Sequence, residues 1–122
     1  MTQVVRALRG ATTTDADTPV QITERTTELL GEMLAQNGVD HDDLISILFT
    51  TTPDLTSMFP ATAARTVGLG AVPLLCAAEI DVPGSTPMCI RVLMHLVTER
   101  PRAELHHVYL HGARGLRDDL PD

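Results

Sequence analysis

The stretch "PMCIRVLMHLV", residues 87–97, constrains the fold more than any other part of the chain. It is apolar and long enough to cross a small domain as a strand, yet Arg91 sits near its middle. A guanidinium stays charged at every working pH, and burying it alone is costly. Strand alternation resolves half of the difficulty, placing Cys89, Arg91, Leu93 and His95 on one face and Ile90, Val92, Met94 and Leu96 on the other. The second face suits a core. The first must offer Arg91 solvent, a carboxylate or an anionic ligand.

The other elements follow from the same periodicities. "VVRALRGATT" reads as a strand with Val5, Ala7, Arg9 and Ala11 on one face, and Gly10 marks a bend or a close approach of a neighbour. A long amphipathic helix follows, with Thr18 as its cap, Pro19 first inside, and Gln21 completing a capping box. Its stripe is Ile22, Thr26, Leu29, Leu30, Met33 and Leu34, and Asn37-Gly38 ends it. A second strand is expected from Leu44 to Thr52, its apolar run suggesting burial on both faces, and Pro53 stops it. A short helix opens at Pro60, "VPLLCAAE" forms a third strand, 87–97 the fourth, and "ELHHVYLHGA" a fifth. The order β-α-β-α-β-β-β in 122 residues gives one α+β domain, a mixed β-sheet with one long covering helix and a short second helix. Only Phe49, Phe59 and Tyr109 are aromatic, so the core is aliphatic, and packing of the uncovered sheet face between subunits would add buried surface.

Charge and residue usage exclude several kinds of chemistry. The net charge of −7 and the scarcity of aromatics disfavour nucleic acid as a partner. All nine cationic side chains are arginine, which removes Schiff-base chemistry and the lysine-bearing phosphate loop while leaving forked recognition of carboxylates open. No signal peptide and no membrane span are expected, and the two cysteines, Cys76 and Cys89, read as reduced thiols, so a cytoplasmic location is expected. HExxH, GxSxG and GxGxxG are all missing, and of His106, His107 and His111 at most two share a strand face, so neither a metal nor a cofactor is expected. Glu79, closing "PLLCAAEI", is the natural counter-charge for an inward arginine. It completes either a buried ion pair or a site in which arginines clamp carboxylates and Glu79 reads a hydroxyl.

"RALRGATT", "TPDLTSMFPATAAR", "VPLLCAAEIDVPGS", "CIRVLMHL" and "HHVYLHGARGLRDDL" occur in this order, and with them nearly the whole chain resembles the trimeric pseudo-α/β-barrel chorismate mutases. The resemblance implies a homotrimer whose three subunits pack their sheets into the barrel, with active sites in the clefts between subunits. The implied reaction is the Claisen rearrangement of chorismate to prephenate, which requires no nucleophile, metal or cofactor. It further implies that Arg91 faces the ether oxygen and a carboxylate, that Arg9 and Tyr109 hold a carboxylate, and that Glu79 accepts the ring hydroxyl, with Cys76 beside it. Phe59, Ala61, Thr62 and Arg65 would line the cleft from the neighbouring subunit, and Leu116 and Arg117 would close over the ligand, Arg65 and Arg117 reversing the acidic field at its mouth. Thr62 stands where such relatives often carry lysine, and the tail ending at Asp122 is shorter than in some of them. The competing reading is a trimeric small-metabolite carboxylate-binding protein of the same fold.

Overall fold

The computed structural model describes residues 2–116. Five strands form one mixed sheet in the order β3-β2-β4-β1-β5. They are β1 (Val4–Thr13), β2 (Leu44–Thr51), β3 (Leu74–Ala78), β4 (Cys89–Thr98) and β5 (Val108–Tyr109), with helices α1 (Pro19–Asn37) and α2 (Pro60–Thr66). β4 lies between β1 and β2 and runs antiparallel to both, while β3 and β5 add parallel strands at the two edges. The α+β expectation therefore holds, and the apolar run with its arginine is the centre of the sheet.

α1 forms where its sequence signals place it. Thr18 has extended backbone and its Oγ1 accepts from Gln21 N at 3.2 Å, Pro19 opens the helix, and Gly38 ends it in the left-handed region at φ 59°. The capping box is only half made, because Gln21 Oε1 accepts from Asp15 N instead of returning to Thr18. Ile22, Thr26, Leu29, Leu30 and Met33 are buried, and α1 packs against β1 where Gly10 has no side chain. A Cβ on Gly10 would lie 2.4 Å from Met33 Sδ, so the glycine serves close approach. The core between the sheet and the helices holds Leu8, Leu29, Met33, Ile47, Phe49, Val92, Met94 and Leu96, aliphatic but for one phenylalanine.

Two further expectations change. β2 is buried on one face only: Ile47 and Phe49 are under the helices, while Ile45 is exposed and Leu48 and Thr50 are half-buried on the open side. β5 shrinks to two residues, because short 3₁₀ turns at Arg102–Glu104 and His111–Ala113 flank it. Side chains replace ladder bonds on either side of it: Arg9 N donates to His107 Nδ1 at 2.9 Å and Gly112 N donates to Thr13 Oγ1 at 2.9 Å. Buried Asn37, whose side chain donates to Met33 O and His106 O and accepts from His106 N, ties the approach to β5 onto the end of α1. Among the described residues, no helix is long and apolar enough to cross a membrane.

Candidate active site

Register delivers the site. Thr50 on β2 pairs with Arg91 on β4, Arg91 with Ala11 on β1, and Ala11 with Tyr109 on β5, so these four residues form one row across four strands. Arg9, two residues from Ala11, pairs with Leu93 and shares its face. Both helices pack elsewhere, and α1 packs on the face where Leu8, Val92 and Met94 point. Arg9 and Arg91 are thereby held on the uncovered face by rigid strands. Ala11 between Arg91 and Tyr109 is the smallest side chain that a strand can carry there apart from glycine, and it leaves room between the two larger groups.

Arg91 is neither buried alone nor wholly solvated. Its Nε lies 2.8 Å from Glu79 Oε1, with the arginine side chain 44% exposed and the glutamate side chain 15% exposed. The same carboxylate oxygen accepts from Thr50 Oγ1 at 2.7 Å, and Glu79 N donates to Thr51 O at 2.9 Å. A cleft of about 320 Å³ opens over the row, lined by Arg9, Ala11, Leu48, Thr50, Arg91, Leu93 and Tyr109. Tyr109 Oη is buried and has no hydrogen-bond partner among the described residues. A buried phenol without a partner beside two arginines is a donor suited to an anionic guest.

Cys89 is fully buried on the face of Arg91, in a small apolar cluster with Ala11 and Ala113 against which Tyr109 and Leu116 pack. Burial pushes its thiol pKa up; the nearby Arg91 cation opposes this and Glu79 adds to it. Cys89 therefore acts as a neutral floor beneath Arg91. Next to the cleft, a second depression of about 460 Å³ adds Arg6, Arg102, His95 and His107 around Arg9. The open face is thus locally cationic on a chain of net charge −7.

The remaining expected site residues lie elsewhere in the subunit. Phe59, Thr62 and Cys76 line a separate cleft of about 530 Å³ beside the edge strand β3, which shares no residue with the first. Cys76 pairs with Phe49, packs against the main core and so projects from the face opposite Arg91. Phe59 is 69% exposed. Ala61 is buried in the core, and Arg65 is exposed on the last turn of α2. Arg117 lies outside the described residues. Thr50 and Cys89 escaped the sequence reading as site residues. For Thr50 the only available signal was a hydroxyl ending an apolar strand, and for Cys89 its i, i+2 spacing from Arg91; pairing register is needed to use either.

Residues 5–120 match the family described as chorismate mutase type I. The chain belongs to the type I chorismate mutases. It is 50% identical over 118 residues to chorismate mutase AroH of Thermus thermophilus, covering 96% of this chain and 97% of that one. To chorismate mutase AroH of Bacillus subtilis (strain 168) it is 40% identical over 118 residues, or 96% and 93% of the two chains. The solved structure of a chorismate mutase from Clostridium thermocellum superposes with a TM-score of 0.88 at 50% identity, covering 89% of this chain and 97% of that one. For a type I chorismate mutase, the row of Thr50, Arg91, Ala11 and Tyr109 is then the natural place to seek the chemistry.

Proposed function

We propose that this chorismate mutase converts chorismate to prephenate on the open sheet face, by electrostatic stabilisation with no covalent intermediate. The observation that carries this reading is the pairing of Arg91 with Glu79 at 2.8 Å beside a cleft that Arg91 lines together with Arg9 and Tyr109, whose hydroxyl has no partner among the described residues. In the rearrangement the ether C–O bond breaks as a C–C bond forms, so negative charge grows on the ether oxygen. Arg91 faces that oxygen; Arg9 and Tyr109 hold a carboxylate; Glu79, oriented by Arg91 and Thr50, accepts from the ring hydroxyl. Because strand backbone and Glu79 aim Arg91 before a ligand arrives, little reorganisation accompanies the developing charge. Arg6 and Arg102 add to the positive field that draws in the dianion.

The working unit in this reading is a homotrimer. Its support is the separation of the two clefts, Phe59 and Thr62 lining one and Arg91 the other with no residue in common, and the exposure of Phe59, Leu75, Ile80 and Val82 around the β3 edge. Ala61 and Arg65 accompany Phe59 from the neighbouring subunit, Cys76 contributes shape with a weak polar contact, and Leu116 borders the ligand beside Tyr109. A reducing, cytoplasmic setting suits the two free thiols.

The test is purified protein mixed with chorismate, followed by optical loss of substrate alongside prephenate formation, with and without a strong chelator. Chelator-insensitive turnover is expected. Binding of chorismate without turnover would favour a carboxylate-binding protein, and activity lost to the chelator and restored by metal would overturn the mechanism.

A further inference from the structure

Arg91 is only as well aimed as the backbone that leads into it. Met88, immediately before β4, has φ 51°, in the left-handed region that a side chain with a Cβ enters only under constraint. The constraint is visible at four backbone groups. Met88 N donates to Asp54 Oδ2 at 2.9 Å and Met88 O accepts from Thr14 N at 2.9 Å. Cys89 N donates to Thr52 Oγ1 at 2.9 Å, and Cys89 O accepts from Thr52 N at 3.1 Å. The Thr52 hydroxyl in turn donates to Asp54 Oδ1 at 2.5 Å. One carboxylate therefore grips Met88 directly and Cys89 through a buried threonine, two residues before Arg91. Asp54 itself does not line the cleft.

We propose that Asp54 is a positioning residue for the reaction: through Met88 N and the Thr52 hydroxyl it holds the left-handed entry into β4 and thereby sets the direction of Arg91. The inference rests on the reading of Arg91 as the cation that meets the developing charge. A residue that aims such a cation acts on the transition state, where Arg91 does its work, more than on ground-state binding. Asp54 is exposed, so its replacement leaves the core intact.

Asp54→Asn keeps the shape but can accept only one of the two hydrogen bonds through its oxygen. It is expected to lower kcat by about 10–100-fold with little change in KM, while melting and oligomeric mass stay near those of the parent protein. In an Arg91→Ala background the same substitution should cost nothing further, because its effect passes through the missing guanidinium. Thr52→Val, which deletes the relay, should repeat the kcat loss and Thr52→Ser should not, which keeps the test decisive if the Asp54 variant does not fold. If Asp54→Asn and Thr52→Val retain kcat while Arg91→Ala is crippled, the positioning role is overturned and the reading of the site survives. Full multiplicative losses in the double variant would likewise overturn it. If Arg91→Ala itself retains kcat, the reading of the site fails instead.

Discussion

Arg91 makes the sharpest prediction at the scale of single residues. Arg91→Ala removes the charge that the proposed mechanism aims at the reacting oxygen, and loss of one preorganised donor costs about 10²–10³ in rate, so kcat should fall at least that far. Arg91→Lys keeps the charge but loses the planar fork, and steady-state kinetics should show little rescue. A folded variant of either kind with near-normal kcat would make the cation structural. The cysteines separate by environment. Buried Cys89, with its thiol pKa raised, should resist iodoacetamide in the native protein and react only after denaturation, as mass spectrometry would show. Cys76→Ser should keep substantial activity, since the rearrangement offers no covalent intermediate for a thiol to form. A trapped adduct on Cys76 would refute that.

Between elements, the joints are made by polar side chains inside or beside the core. Asn37 closes α1 onto the segment before β5, which carries His107 to Arg9 and then Tyr109 into the cleft. Asn37→Ala would leave His106 N and O and the Met33 carbonyl without their side-chain partner, a loss of about 2 kcal/mol in denaturant melts. Chorismate turnover should suffer as well, because Tyr109 and Arg9 lie downstream of that joint. At the other end of α1, Asp17 Oδ1 accepts from Thr56 N and Ser57 N and its Oδ2 accepts from Thr56 Oγ1, fastening the loop that leads to Phe59. The Ser57 hydrogen bond leads the causes that lower the Asp17 pKa below its ordinary 3.8. A carboxylate with a depressed folded-state pKa stabilises the fold fully above its unfolded value and loses that contribution as pH falls through the folded one. The stability gap between the parent protein and Asp17→Asn should therefore be flat from neutral pH down to about pH 5 and close below about pH 4. A gap that widened in acid would contradict the assignment.

For the whole molecule, the proposed homotrimer would cover the open sheet face and the exposed apolar rim at β3. Light scattering should report about three chain masses if the proposed closed assembly, in which Phe59 would meet Arg91 of another copy, forms. A fully active monomer would show that one subunit's cleft suffices. The acidic chain with a cationic open face also predicts salt-sensitive capture: kcat/KM should fall with added salt while kcat holds, because screening acts on the approach of the dianion and not on contacts already made.

Local chemistry was enough to place most elements. Thr18, Pro19 and Gly38 bounded α1 because caps act within a few residues, and the alternation in β4 put Arg91 on the side opposite Met94 because strand geometry repeats every two residues. The five ordered fragments were enough to suggest the family, and they put Arg9, Glu79, Arg91 and Tyr109 on one list. Spacing could not say that Arg91 and Glu79 meet, since 11 intervening residues are compatible with many geometries; pairing Thr50 with Arg91 across β2 and β4 settles it. The same holds for Cys76, whose three-residue distance from Glu79 suggested neighbours and whose strand phase sends it to the other face. β5 was overestimated because His106 and His107 have strand-like neighbours, and only the packed structure shows side chains from α1 and β1 taking the place of ladder partners. Sequence periodicity determines which face a residue takes within its own element; which residues meet is decided by register and packing between elements far apart in the chain.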